Sequence, residues 1–136
     1  MPERMRPEQR VRLRNVAERE IQRFAGDHGL WHKHVHNVEL DPAQILKMVE
    51  MDQNANTIDF SCRRTGKTAV KELHELEHNA RHADQELGIV APREAQSINN
   101  LNYHLDAIRR SEILTAWLGY KNGRRQLGDT YYQFAN

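Results

Sequence analysis

Apolar residues recur along this chain with helical spacing in five places, and they gather into short β-like runs in three. Between residues 7 and 25, Leu13, Val16, Ala17, Ile21 and Phe24 return at intervals of three and four, which predicts one apolar helix face. Pro7 suits its first turn and Gly26 its end. A second helix opens at Asp41-Pro42-Ala43-Gln44 and runs to about Met51, with Asp41 as N-cap. A third runs from Thr68 to about Gln85 on the stripe Ala69, Leu73, Leu76, Ala80 and Ala83. Ala95, Ile98, Leu101, Leu105 and Ile108 predict a fourth, and Ile113, Leu114, Trp117 and Leu118 a short fifth. The β-like runs are Thr57-Ile58-Asp59-Phe60, Gly88-Ile89-Val90-Ala91 and Tyr131-Tyr132-Gln133-Phe134. Strand, helix, strand across residues 57–91 predicts a right-handed parallel βαβ unit. The expected fold class is therefore α/β, a parallel βαβ core preceded by N-terminal helices; with Gly66-Lys67-Thr68 between its first strand and its helix, the core is expected to be of the P-loop NTPase type and incomplete.

The chemistry concentrates between the first run and the third helix, in Ser61-Cys62-Arg63-Arg64-Thr65-Gly66-Lys67-Thr68. Gly-Lys-Thr after a strand is the core of a phosphate-binding loop. Gly66 lets backbone approach a phosphate, Lys67 puts an ammonium on the β and γ phosphates of ATP, and the Thr68 hydroxyl suits Mg²⁺. Backbone N–H groups of residues 64–68 would curl around the anion. The general pattern starts with glycine where this chain has Ser61, and Asp59 interrupts the apolar run of a buried strand. Gln44, 23 residues before Lys67, has two readings. Its amide closes a capping box with Asp41, or it donates and accepts on the edge of an adenine.

Other features change the picture less. The 136 residues suit one domain, and 38% hydrophobic with 29% charged residues is a globular composition. No apolar run approaches a membrane span. Cys62 is the only cysteine, so no internal disulfide forms, and a reducing compartment fits. A net charge of +1 does not argue for nucleic acid. Arg4, Arg6, Arg10, Arg12 and Arg14 make either a binding arm or a solvated face diluted by Glu3, Glu8, Glu18 and Glu20. His28, Trp31, His32, His34 and His36 are read as a loop with a packed tryptophan, because no metal-ligand spacing fits them. His74, His78 and His82 recur by four on the side opposite the apolar stripe, toward solvent.

Three segments in order carry a resemblance. The loop Ser61–Thr68 resembles that of the large terminase subunit, the DNA-packaging motor ATPase of tailed bacteriophages. Leu40-Asp41-Pro42-Ala43-Gln44 resembles the adenine-binding segment of that family, and residues 88–97 resemble the strand and helix start that follow the loop. Tyr132-Gln133-Phe134-Ala135-Asn136 looks like the start of a later strand. The resemblance implies that Gln44 reads adenine and that Arg63, more than Arg64, stabilises the γ-phosphate, where a guanidinium offsets developing charge. It implies ATP and Mg²⁺ as cofactors, and Ser61, Cys62, Arg63, Arg64, Thr65, Gly66, Lys67 and Thr68 as the nucleotide site. For a full-length parent it implies double-stranded DNA, a small terminase subunit and a portal as partners, no membrane, and the cytoplasm of an infected bacterial host. Residues 1–38 would then be a helical arm and loop, and 39–136 the front part of the ATPase domain. The acidic motif, the coupling motif and the nuclease domain of the family are not found after Thr68. The expectation is a segment that binds nucleotide with little or no turnover. The alternatives are a fragment of another helicase-like ATPase, or a non-enzymatic helical module binding DNA or protein.

Overall fold

The computed structural model describes residues 5–57 and 67–136. Six helices follow in order: α1 Pro7–Gln22, α2 His28–His36, α3 Pro42–Gln53, α4 Lys67–Arg81, α5 Glu94–Arg110 and α6 Glu112–Ala116. A hairpin of β1 Tyr120–Lys121 and β2 Arg124–Arg125 comes after them.

The helices begin where local chemistry satisfies their orphan N–H groups. Asp27 Oδ1 accepts from Leu30 N–H at the start of α2, and Ser111 Oγ accepts from Leu114 N–H at the start of α6. Helix α3 has a full capping box, in which Asp41 Oδ1 accepts from Gln44 N–H while Gln44 Oε1 accepts from Asp41 N–H. Asn37 ends α2 in the left-handed region at φ 57°, which asparagine tolerates. The hairpin turns on Asn122 (φ 54°) and Gly123 (φ 73°), the pairing that a two-residue loop with two positive φ angles requires.

One core joins these elements. Ile21 of α1, Trp31 of α2, Met48 of α3, Leu76 of α4, Ile108 of α5 and Leu114 of α6 are all fully buried. Helix α4 packs on α5 and α3, and α6 packs on α1, α2 and α5. Two tryptophan N–H groups close helix ends across the core: Trp31 donates to Ile21 O at 2.8 Å and Trp117 to Ala80 O at 2.9 Å. The last residues lie against the turn after α6, with Ala135 N–H bonded to Trp117 O and Gly119 N–H to Gln133 O. Leu118 and Phe134 form a bridge there, as do Leu127 and Tyr132.

This architecture corrects the expected α/β class. Among the described residues the only sheet is the antiparallel pair β1–β2, with Tyr120 opposite Arg125, and no parallel βαβ unit is present. The predicted strand at residues 88–91 is irregular chain, and Val90 is 91% exposed. The physical reason lies in the partners. A parallel strand needs neighbours on both edges and cover on both faces. Here the apolar stripe of α4 (Val70, Leu73, Leu76, Ala80) is buried against other helices, so no sheet is needed to cover it. The other predicted strand of that unit lies, from Ile58 to Phe60, outside the described residues. Residues 28–36 form a helix rather than a loop, though Trp31 is packed as expected. On α1, Ala17 and Ile21 are buried, while Leu13 and Val16 of the same predicted stripe remain 44% and 46% exposed.

Candidate functional site

The Gly-Lys-Thr motif adjoins α4. Lys67 and Thr68 are the first two described residues of that helix. Ser61, Cys62, Arg63, Arg64, Thr65 and Gly66 lie outside the described residues. Gln44 occupies its capping box with the amide oxygen on Asp41 N–H.

A second concentration of chemistry was not expected. Helical periodicity in α2 puts His28, His32 and His36 on one face, and that face is buried. They meet Glu77 of α4, itself only 3% exposed. His28 Nδ1 lies 2.6 Å from Glu77 Oε2, and its Nε2 lies 2.5 Å from Asp52 Oδ2 at the end of α3. His74 of α4 donates from Nε2 to Asp52 Oδ1 at 2.6 Å. His32 Nε2 stands 3.4 Å from Glu77 Oε1, and His32 Nδ1 is 2.7 Å from His36 Nε2. The hydrogen bond that His28 donates to Glu77 raises the pKa of His28 against the pull of burial. Burial would raise the Glu77 carboxyl, but the hydrogen bond from His28 and the nearby His32 ring outweigh it and hold the group at about 2. Burial pushes His36 down to about 3.

Another chain of polar groups runs between α4, α5 and the C-terminal residues. Asn79 Nδ2 donates to the Tyr132 hydroxyl at 3.0 Å, the hydroxyl donates to His104 Nδ1 at 2.8 Å, and His104 Nε2 donates to Glu72 Oε2 at 2.7 Å. Burial, then the neighbouring Glu72 carboxylate, raises Glu75 to about 7. Burial also raises the Tyr132 phenol.

Two trios among the described residues bring potential ligand atoms within 4.8 Å of one another: His28, Asp52, His74 and Glu72, Glu75, His104. Sequence reasoning placed His74 toward solvent, yet it is half-buried, with its ring turned onto Asp52. Asp52, Glu72, Glu77 and His104 were missed entirely. A signal was available for two of them, since Glu72 and Glu77 flank the apolar stripe of α4 where solvent-facing residues are not expected. No protein-family model, no curated protein and no solved structure matches the chain.

Proposed function

We propose that the chain is the ATP-binding segment of a DNA-packaging motor of the large-terminase kind. The observation that carries this reading is the Gly66-Lys67-Thr68 motif, whose Lys67 and Thr68 lie on helix α4. In a phosphate loop the N–H groups leading into the helix face the phosphate, and Lys67 adds a full charge. Thr68 supplies a hydroxyl to Mg²⁺, and Arg63 a guanidinium to the γ-phosphate. Gln44 reads adenine by releasing its capping contact. In the full-length parent, ATP hydrolysis drives double-stranded DNA into a capsid with a small terminase subunit and a portal, in the cytoplasm of the infected host. Among the described residues no helix is long and apolar enough to cross a membrane.

The test is titration with Mg·ATP, with hydrolysis followed in the same samples. A charge-assisted hydrogen bond contributes roughly 1.5–3 kcal/mol, so Lys67→Ala weakens binding about 10- to 150-fold. Equal affinity in the two proteins removes Lys67 from any nucleotide site.

The helical fold favours one further reading, a DNA-binding module that has no need of ATP. A groove of about 450 Å³ between α1, α5–α6 and the hairpin is lined by Arg10, Arg14, Arg109, Arg110 and Arg125, with Glu112 as its only acid. Arginines so placed suit phosphates of a duplex. Replacing Arg14, Arg109 and Arg125 by Gln then lowers the slope of log affinity against log salt by about 2.7, at 0.9 per phosphate contact. A slope unchanged by the triple substitution removes DNA from this groove.

A further inference from the structure

Three helices deliver one donor each to a single point. Asp52 stands near the C-terminal end of α3, His28 in the first turn of α2, and His74 in the middle of α4. Asp52 receives His28 Nε2 on one carboxylate oxygen and His74 Nε2 on the other, at 2.5 Å and 2.6 Å. The ligand atoms of all three residues lie within 4.8 Å of one another. The edge of a tetrahedral sphere with bonds of about 2.0–2.2 Å is about 3.3–3.6 Å, so small side-chain shifts bring the three atoms onto one ion.

The surroundings are those of a metal ligand set rather than of a surface ion pair. The far nitrogen of His28 is held by Glu77, and the side chains of both are under 5% exposed. A carboxylate on the remote nitrogen keeps the proton at Nδ1 and orients the ring, so that Nε2 ligates once an ion displaces the proton it directs at Asp52. Asp52 is 48% exposed on the opposite side, where Asp52, His74, His78 and His82 line an open cleft of about 520 Å³. One side of the trio is therefore rigid and buried, and the other admits an ion with its water. The other candidate trio lacks that open side, since Glu72 and His104 are both fully buried.

We propose that His28 Nε2, His74 Nε2 and an Asp52 carboxylate oxygen bind Zn²⁺, with Glu77 as the positioning residue for His28. Two imidazoles and one carboxylate form a borderline N₂O set that leaves a fourth, water-facing position. The ion replaces the protons that His28 and His74 now direct at Asp52, so two N–H···O contacts become N–Zn and O–Zn bonds. The site is separate from the nucleotide site: His74 lies seven residues beyond Lys67, about 10 Å along α4.

The test uses the full chain stripped with a chelator and titrated with Zn²⁺ or Co²⁺ alone, without nucleotide. Calorimetry counts and weighs the Zn²⁺ site, and the visible absorption of Co²⁺ reports nitrogen ligation. The expected result is one ion per chain, with His74→Ala and Asp52→Asn each weakening binding at least 100-fold. Glu77→Gln weakens it about 10- to 100-fold, as loss of an outer-shell partner does. His78→Ala and His82→Ala, on the cleft wall, leave affinity unchanged. Circular dichroism confirms that each variant is folded, and Asp52→Asn, exposed and nearly isosteric, keeps the test open if His74→Ala is not. Absence of stoichiometric binding in the wild type overturns the proposal. So does binding that survives Asp52→Asn and is lost in His78→Ala or His82→Ala. Because no nucleotide is present, failure here leaves the Lys67 titration untouched, and the reverse holds too.

Discussion

Lowering the pH from 8 to 5 should destabilise this protein through His36 in a way that one substitution can isolate. His36 is 6% exposed, and its Nε2 faces His32 Nδ1 at 2.7 Å. Its other nitrogen, Nδ1, is buried with no hydrogen-bond partner. The consistent tautomer has His36 Nε2–H donating to His32 Nδ1 and His32 Nε2–H directed at Glu77, leaving His36 Nδ1 bare. A proton there would gain no acceptor. Burial therefore holds its pKa at about 3, with His32 and Arg110 of α5 adding to the effect and the Glu77 carboxylate of α4 opposing it. The unfolded chain has the ordinary value of 6.5. The folded value lies below the unfolded one, so the contribution is complete above pH 6.5 and is lost as pH falls toward 3. From those two values the loss is about 0.8 kcal/mol by pH 6 and about 2 kcal/mol by pH 5, relative to pH 8.

Other groups titrate over the same range, so the comparison is with His36→Gln. The amide stays neutral and can still donate to His32 Nδ1. Urea unfolding of both proteins at pH 8, 7, 6 and 5 gives two stability curves. Their difference should change by about 2 kcal/mol across the range, with the wild type losing more. Parallel curves would refute the reasoning, since they would mean that His36 takes up its proton in the folded protein as easily as in the unfolded chain.

Three further outcomes follow from the contacts. Ser111 Oγ caps α6 at Leu114 N–H and donates to Val35 O of α2, so Ser111→Ala should cost about 1–2 kcal/mol in urea unfolding, and a loss within error would show the cap to be idle. Tyr132→Phe strips the hydroxyl from His104 Nδ1 and Asn79 Nδ2 and should cost about 1–3 kcal/mol; an unchanged urea midpoint would place that chain of bonds outside the cooperative core. Cys62 is the sole thiol and falls within the phosphate motif proposed above, so Mg·ATP should slow its alkylation, and equal rates with and without nucleotide would place it outside the site.

The helices were legible because their signals are local. Asp41-Pro42-Ala43-Gln44 offered a capping box as one of two readings of Gln44, and the structure contains it. The α4 stripe of Leu73, Leu76 and Ala80 announced a buried face, and it is buried. The parallel core was not a local matter. Gly88-Ile89-Val90-Ala91 has the composition of a strand, but a strand exists only by pairing, and that segment pairs with no other described residue while helices cover the α4 face. The histidine site was hidden for a related reason. Counted as polar, His28, His32 and His36 leave α2 too little apolar residue to read as a buried helix. Their burial depends on Glu77, 49 residues away from His28, and on Asp52 at the end of a different helix. A histidine next to a buried carboxylate behaves as a core residue with a charge condition attached. Folding of α2 against α3 and α4 is thereby tied to what occupies the ring nitrogens, whether a proton or an ion. Helix α4 carries both Lys67 and the histidine-network residues His74 and Glu77, so the two ligands proposed above would act on the same element. Stability measured with Mg·ATP and Zn²⁺ together would then differ from the sum of the two separate effects if, and only if, α4 transmits between its ends.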